Sequence, residues 1–227
     1  MEDLAQRFGD DAGRNCYSKM ASVASWAFNR LFWNESVGCL FDKVNGGPPD
    51  ASIRPNQIFA VSLHHNMLSG ERAKAVVEKV REHLLTAYGL RSLSPSDPQY
   101  RGHYTGGPAE RDGAYHQGTV WPWLLGPFIT AYIKVNGASE AARMQGGEWL
   151  KPLEAHLSEA GLGHISEIFE RDAPHRPCGC VAQAWSVAAL LRAYVEDVKG
   201  VKPVARAADV THRTQGALRK TPVTATA

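Results

Sequence analysis

The sequence predicts an all-α protein in which buried helices alternate with solvent-facing ones. Apolar residues recur at spacings of three and four along most of the chain, which is the period of an amphipathic helix. Segments that are apolar nearly all round are followed by segments with a charged face. Strand-like alternation is scarce. We therefore expect about six helices that are separated by long loops.

The first predicted helix covers residues 14–32, and a helical hairpin follows it. Pro55 suits the first turn of a helix over 54–68, and Ser69-Gly70 then turns the chain into a charged-faced helix that runs to about residue 85. The apolar stripe of the first helix consists of Tyr17, Met20, Ala24, Phe28 and Leu31. The stripe of the charged-faced helix consists of Ala73, Val76, Val77, Val80 and Leu84.

A second hairpin and a last helix complete the predicted set. Residues 118–135 are apolar nearly all round, which indicates a buried helix, and 139–160 form a more polar partner that Gly146-Gly147 should interrupt. The last helix covers about 180–197, and its apolar stripe consists of Val181, Ala184, Trp185, Ala188 and Leu191.

Long loops separate these helices, and loops of this length in a compact domain are usually functional. They cover residues 33–53, 86–117 and 161–179. The best strand candidate is "GCLFDKV" over 38–44, in a short hairpin with "LFWN". Residues 198–227 lack aromatic side chains and are rich in Ala, Thr, Lys and Arg, so we expect a disordered basic tail.

Composition excludes several classes of partner. Apolar residues make up 44% and charged residues 21% of the chain, as in an ordinary soluble domain. Six basic residues face one acid from Val198 onward, so the rest of the chain carries a slight acidic excess and offers no electrostatic case for nucleic acid. No apolar run approaches the ~18 residues of a membrane span, and the N-terminus lacks the plan of a signal peptide.

The four cysteines do not make a disulfide framework for a chain of 227 residues, so we expect a reduced, cytoplasmic protein. Cys178-Gly179-Cys180, with His175 nearby, could be interpreted as a metal site. Its spacing is not C-x-x-C and no second pair accompanies it, so we expect neither a metal nor a cofactor.

Three polar clusters precede or open a buried helix. They are "DASIRPNQ" (50–57), "GGPAERDGAYHQGTVWPW" (106–123) and "GHISEIFERDAPHRPCGCVAQAWS" (163–186). If the buried helices form the inner ring of a helical barrel, the clusters meet at one rim. Planar amides, acids and arginine around aromatic rings are typical of carbohydrate sites. The polar residues gathered there would be Arg54, Asn56, Gln57, Asp112, His116, Glu167 and Gln183.

Structural interpretations compete with this one. Arg54 could cap a helix or pair with Asp50, and His116 could be a core histidine bonded to a carbonyl. Trp121 and Trp123 could fill the core, and the run 110–112 could be a solvated charge cluster. Glu167 is the strongest catalytic candidate, because it lies among apolar neighbours and burial tunes the pKa of a carboxylate.

Long motifs make the chain similar to a known family. "RPNQIFAVSL", "YRGHYTGGPAERDGAYHQGTVWPWLLGPF" and "AGLGHISEIFERDAPHRPCGCVAQAWSVAALLRAY" closely resemble the C-terminal amylo-α-1,6-glucosidase domain of glycogen debranching enzymes. The resemblance covers most of residues 20–195. It implies an (α/α)6 barrel, which is a double ring of helices. It also implies hydrolysis, with inversion, of α-1,6-linked glucose at the branch points of glycogen or a branched α-glucan oligosaccharide.

The resemblance also implies roles for individual residues. The Glu of the family's Ser/Pro-Glu-Ile/Leu loop acts as general base, and it corresponds to Glu167 in "ISEIF". An inverting mechanism adds a general acid, at about 6.5–9.5 Å from the base. The implied substrate-binding positions are Arg54, Asn56, Gln57, Asp112, His116, Gln117, Trp121, Gln183 and Trp185.

Two departures from the family pattern qualify these roles. The family's general acid lies in a Thr-Trp-Met-Asp type segment, which this sequence does not contain, and His64-His65 replaces the usual Pro after "SL". We therefore expect residues 1–197 to be the C-terminal part of the catalytic domain, a partial barrel of about six helices. An upstream half-domain polypeptide would be its partner, and 198–227 would be the tail.

Other functions remain open at this stage. The chain could be a non-catalytic glucan-binding remnant, with the pocket present and the acid absent. A helical scaffold or a phosphorylase-like barrel is disfavoured, because the loops are polar and no dedicated phosphate-binding cluster is evident. A half barrel would also expose inner-helix faces, so we expect the isolated chain to self-associate or bind a hydrophobic dye, above all through 118–135.

Overall fold

The computed structural model describes residues 1–160 and 162–202, and helices dominate this part of the chain, so the all-α prediction is confirmed. Two 3₁₀ turns, Pro55–Ile58 and Pro122–Leu124, lead into helices, and a π-helical turn covers Ala193–Val198. The predicted tail lies mostly in 203–227, outside the described residues. Eight α-helices occur in the described ranges: α1 (Glu2–Arg7), α2 (Asp11–Leu31), α3 (Phe59–Ser62), α4 (Gly70–Leu84), α5 (Pro108–Tyr115), α6 (Leu125–Val135), α7 (Glu140–Glu159) and α8 (Ala184–Arg192).

Short strands within the loops pair with one another and form two small sheets. The predicted hairpin at 31–44 is present as β1 (Trp33–Asn34) and β2 (Cys39–Leu40), in which Trp33 pairs with Leu40. The sequence did not predict the second sheet, which has five antiparallel strands in chain order. These strands are β3 (Leu85–Thr86), β4 (Gly89–Arg91), β5 (Val120–Trp121), β6 (Ile168–Phe169) and β7 (Pro177–Cys178).

The core forms around α6, which packs against α3, α4, α7 and α8. Seven of its eleven residues are buried. All five residues of the stripe predicted for α4 are buried as well. Contrary to expectation, α7 continues through Gly146-Gly147. A Cβ added at Gly146 would lie 3.1 Å from the Ile129 side chain, so the glycine allows α7 to pack close against α6.

Two other predicted helices are shorter than expected, because one end of each predicted segment forms a loop or a strand instead. The helix predicted over 54–68 ends at Ser62, since Ala60 O accepts the amides of Met67 and Leu68 and thereby closes a tight loop. In the segment 118–135, the first residues form β5 and only then does the chain become helical. No helix in the described residues is long and apolar enough to cross a membrane.

His156 of α7 links this helix to the loop that precedes β6. The side chain is 1% exposed, and its Nε2 atom accepts the Ser166 amide at 3.4 Å and lies 3.2 Å from Ser166 Oγ. An accepting nitrogen carries no proton, so the ring is neutral. Burial lowers the pKa of His156, and the negative charge of Glu159 opposes this effect.

Within residues 1–160 and 162–202, most of the apolar stripe of the first long helix and of the last helix has no cover. Every residue of α2 is at least partly exposed, including Trp26 at 62%. On α8 the predicted stripe faces solvent, with Leu191 at 60%, while Ser186 and Leu190 on the other side are buried. The expectation that 118–135 would be the exposed apolar segment was wrong, because α6 is covered by its neighbours. The uncovered faces belong to α2 and α8 instead.

We expect the isolated chain to bind a hydrophobic dye or to self-associate through these two faces. Replacing Val23 and Trp26 of α2 and Leu191 of α8 with glutamine should reduce dye fluorescence and the apparent mass in solution. The melting temperature should change little, because the three side chains are exposed. Leu162→Gln is the control, since Leu162 is 83% exposed but lies in a loop. An equal loss of dye binding in the control would contradict the assignment.

A second expectation concerns acid stability. An unfolded histidine has a pKa near about 6.5, whereas burial holds the pKa of His156 below its ordinary value in the folded chain. The stabilising contribution is therefore complete above about pH 6.5 and is lost as the pH falls through the lowered pKa. The melting temperature should drop between pH 7.5 and pH 5, and it should drop less in His156→Gln, whose amide oxygen accepts the Ser166 amide without titrating. Equal drops in both proteins would argue against this role.

Candidate active site

Glu167 is half-buried at the start of β6, and three neutral donors hold its carboxylate. Oε1 accepts the Tyr115 hydroxyl at 2.6 Å and the Gln183 side-chain amide at 3.1 Å. Oε2 accepts the Cys180 backbone amide at 3.0 Å. A carboxylate has about four lone-pair positions. Among the described residues three donors occupy them, so one position on Oε2 is left for a water or a ligand.

The hairpin of β6 and β7 explains why these groups meet. Ile168 pairs with Cys178, and one step before β6 the Glu167 amide donates to Cys180 O at 2.9 Å. Between the two cysteines, Gly179 turns the chain with φ +71°. A Cβ at this position would lie 2.5 Å from Glu167 Oε2. The turn therefore favours glycine for its backbone and for its lack of a side chain.

Tyr115 is a site residue that the sequence reasoning did not select. It ends α5, and its ring lies at an angle to that of Trp121, with the centroids 4.8 Å apart. Desolvation raises the pKa of Tyr115 above its ordinary value, and the hydrogen bond to Glu167 raises it further. The phenol therefore stays protonated near neutral pH and donates to the carboxylate. Tyr115 lies between Asp112 and His116, two predicted substrate-binding positions, and this location could have indicated that it belongs to the site.

An aromatic cavity of about 250 Å³ is linked to this carboxylate through Tyr115, whose ring packs against the lining residues His116 and Trp121. Trp121 is almost fully buried and stacks on His116 at 5.3 Å, whereas Trp185 is 47% exposed and stacks on Trp123 at 5.3 Å. Five of the predicted substrate-binding residues line this cavity: Arg54, Asn56, His116, Trp121 and Trp185. Loss of hydration and then the Arg54 charge lower the pKa of His116, so its ring is neutral near pH 7.

Arg54 cross-links the chain segments that form the wall of the aromatic cavity. One terminal nitrogen donates to Ser92 O at 3.2 Å and to His116 O at 2.8 Å, and the other donates to Gln117 Oε1 at 2.7 Å. Its Nε lies 3.7 Å from a carboxylate oxygen of Asp42. Arg54 thus joins three segments, and its ion pair is with Asp42 rather than Asp50.

The other predicted ligands differ in how available they are. The Asn56 amide nitrogen donates to Asp42 at 2.9 Å, and its oxygen has no hydrogen-bond donor among the described residues. Gln57 is 7% exposed, bonds the backbone of Leu40 and Arg54, and lines a neighbouring apolar cavity. Asp112 is exposed on α5 and is not among the residues that line the aromatic cavity. Gln117 and Gln183 contact Arg54 and Glu167 respectively, so both support groups of the site.

A polar cavity of about 440 Å³ contains Glu167 itself. Its other lining residues are Tyr104, Arg111, Arg176, Cys178, Gly179 and Cys180. Nearby, Glu170 is 7% exposed and accepts Arg176 at 2.9 Å, the Tyr104 amide at 3.1 Å and His103 at 3.0 Å. Glu170 is therefore paired with cationic or ionisable donors, whereas all donors to Glu167 are neutral.

The two thiols of the polar cavity each lie near a backbone carbonyl. Cys178 Sγ lies 3.5 Å from Arg176 O, and Cys180 Sγ lies 3.3 Å from Ala182 O. Burial and the charge of Glu170 raise the pKa of Cys178 to about 11. Among the described residues, Cys178 and Cys180 do not belong to a group of three or more converging metal-ligand atoms.

Sequence comparison relates the chain to an enzyme family. The sequence model of the family described as amylo-alpha-1,6-glucosidase matches residues 1–192. The glycogen debranching enzyme of Saccharomyces cerevisiae is 29% identical over 68% of this chain, and the match covers 11% of that enzyme. The chain therefore spans about one tenth of the length of this relative.

Structural comparison shows the same architecture. The GH63 mannosylglycerate hydrolase from Thermus thermophilus in complex with glucose superimposes with a TM-score of 0.59 at 17% identity, over 85% of this chain and 43% of that chain. Its complex with Tris gives a TM-score of 0.57 at 17% identity, over 85% and 41%. The likeness confirms the predicted partial barrel, since the chain covers less than half of these helical enzymes. Together with the sequence match, it shows that the chain belongs to the amylo-alpha-1,6-glucosidase family.

Proposed function

We propose that this chain supplies the general base and one wall of the sugar pocket in a glycoside hydrolase of the glycogen-debranching type. The reaction is the hydrolysis, with inversion, of α-1,6-linked glucose at branch points of glycogen or a related glucan. The observation that carries the proposal is the Glu167 carboxylate, which is held by three neutral donors. One of these donors, Tyr115, packs against His116 and Trp121 in the lining of the aromatic cavity.

The environment of Glu167 suits a base. The oxygens of Glu170 are occupied by Arg176 and His103, whereas Glu167 bonds a phenol and two amides. These donors orient Glu167 and leave one position on Oε2, where a water can donate its hydrogen.

The aromatic cavity suits a single sugar ring. Trp185 presents its exposed face next to Trp123, and sugars lay their C–H faces on such rings. The side-chain oxygen of Asn56 and the neutral ring of His116 supply hydrogen-bonding groups for hydroxyls. We propose that the direct contacts to the sugar are made by Asn56, His116, Trp121 and Trp185. Arg54 and Gln117 hold the wall of the cavity in position, and Gln183 holds Glu167. The Thermus neighbour was crystallised with glucose, which supports a monosaccharide subsite in this fold.

The proposed step needs a second carboxyl. Water attacks the anomeric carbon on the face opposite the leaving oxygen and gives its proton to Glu167. As the glycosidic bond breaks, a general acid protonates the departing O6 of the branch-point glucose. An inverting enzyme keeps the two carboxyls about 6.5–9.5 Å apart, so that the water fits between them. We assign the acid to an upstream half-domain polypeptide.

The uncovered faces of α2 and α8 support such a partner. They lie on the first long helix and the last helix of the half barrel, and their exposed side chains include Trp26 and Leu191. A helical toroid closes by packing its edge helices against the rest of the ring. The upstream half would therefore cover both faces and complete the pocket beside Trp185. A cytoplasmic location is part of the same proposal, and the four free thiols fit a reducing compartment.

Glucose release from a phosphorylase-limit dextrin freed of its maltosyl stubs tests the proposal. The chain is assayed with and without an upstream half-domain polypeptide encoded by the same genome. We expect release with both halves, β-glucose as the first anomer by NMR, and a loss of at least about 10²-fold in Glu167→Gln, since a missing general base costs about 10²–10⁴-fold. Glu154→Gln is the control, because Glu154 is exposed on α7.

Each result has a distinct meaning. Full activity in Glu167→Gln would contradict the assigned base, and α-glucose as the first product would contradict inversion. Dextrin binding by the combined halves without any glucose release would favour the non-catalytic glucan-binding alternative. Binding can be followed through tryptophan fluorescence, because Trp121, Trp123 and Trp185 line the aromatic cavity.

A further inference from the structure

His64 and His65 form a site that the proposed hydrolysis does not use. They follow α3, whereas the candidate active site begins at the residues that precede this helix. Both side chains are exposed, and their rings lie edge to face with centroids 4.7 Å apart. Imidazole is among the commonest metal ligands in proteins. Two adjacent imidazoles can bind one metal ion when a third ligand lies near them.

The backbone that carries the two histidines is fixed. Ala60 O accepts the amides of Met67 at 2.8 Å and Leu68 at 3.0 Å, so the C-terminal end of the loop returns to α3. Lys134 Nζ donates to the carbonyl oxygens of Ser62 and Leu63, both at 2.7 Å. The start of the loop is thus tied to α6, and its end is tied to α3. The histidine side chains project from a defined backbone.

Asp3 of α1 comes from a distant part of the sequence and meets them. His65 Nε2 lies 3.4 Å from Asp3 Oδ2. One ligand atom from each of Asp3, His64 and His65 lies within 4.8 Å of the other two. The helix that carries Asp3 packs on α2, because Ala5 is 7% exposed and its carbonyl accepts the amide of Asp10, the residue that precedes α2, at 2.9 Å.

We propose that Asp3, His64 and His65 bind a divalent transition-metal ion, with Zn²⁺ as the best match. Zn²⁺ takes nitrogen and carboxylate ligands at about 2.0–2.2 Å in a tetrahedron. Two such ligands are then about 3.4 Å apart, which is the observed separation of His65 and Asp3. His64 needs a side-chain rotation to complete the set, and water takes the fourth position. Mg²⁺ and Ca²⁺ prefer oxygen ligands, so two imidazoles disfavour them.

The ion would join α1 to the loop after α3. Its ligands lie at positions 3, 64 and 65, so binding would cross-link segments about 60 residues apart in sequence. A ligand that binds only the folded chain stabilises it in proportion to the logarithm of ligand concentration over Kd. Zinc should therefore raise the melting temperature and slow amide exchange in Glu2–Arg7. This effect is independent of glucose release.

Zinc titration by calorimetry tests the site in the full chain without an affinity tag. Cys178 and Cys180 are replaced by serine throughout, because thiols could hold zinc elsewhere. We expect one ion per chain with a Kd in the micromolar range, and at least tenfold weaker binding in each of Asp3→Asn, His64→Ala and His65→Ala. His164→Ala is the control, since His164 is exposed and lies in a different loop. Circular dichroism establishes that each variant is folded.

Three outcomes would overturn the proposal. The first is the lack of saturable binding up to about 1 mM zinc in the folded parent chain. The second is an unchanged Kd in any one of the three ligand variants. The third is a tenfold loss in His164→Ala, which would indicate non-specific binding to surface histidines. Slower exchange in Glu2–Arg7 on addition of zinc, with none in the His65→Ala variant, would support the cross-link directly.

Discussion

The pairing of β5 with β6 is the contact on which the candidate site depends. Val120 lies opposite Phe169 in this pair. The pairing brings the segment that ends in Tyr115 and Trp121 beside the segment that begins with Glu167. Without it, the phenol could not reach the carboxylate, and the aromatic cavity would lose its position relative to the base. The sheet has few residues, yet it orients two long loops that helix packing alone would leave apart.

Two carboxylates three residues apart illustrate how neighbours set chemical roles. Glu170 is almost fully buried and bonds Arg176 and His103, so its negative charge is neutralised within the protein. Glu167 bonds neutral donors and faces a polar cavity. Residues 167 and 170 flank β6, and positions three apart along an extended segment point to opposite faces. The ends of one short strand therefore present one ion-paired carboxylate and one that only neutral donors hold.

The sequence predicted the helices better than it predicted the sheet. The α4 stripe was correct in every position, because a periodic pattern over fifteen residues is a strong local signal. Strands of two or three residues contain too few positions to show alternation, so the five-stranded sheet was missed. Tyr115 was missed for a related reason, since its contact with Glu167 spans 52 residues and depends on that sheet. Gln57 was selected as a ligand, although its amide is used within the protein.

The pattern also predicted stripes on α2 and α8 that the structure leaves uncovered. Their periodicity fits the proposed partner surface, because a helix acquires an apolar stripe wherever it packs, within its own chain or against another. In the described residues of the half barrel, α6 is buried, whereas the edge helices α2 and α8 expose apolar side chains. On this account the loop that holds Glu167 is already formed in the half barrel, since every donor to the carboxylate belongs to this chain.

Amide hydrogen exchange of Cys180 in the isolated chain shows whether the loop of Glu167 is formed there. We expect slow exchange, because the Cys180 amide donates to Glu167 Oε2. In Glu167→Ala we expect fast exchange, with the α4 amides unchanged in both proteins. Exchange of Cys180 in the unsubstituted chain at the rate of a free amide, while α4 remains protected, would contradict the claim and show that the site forms only when the barrel is complete.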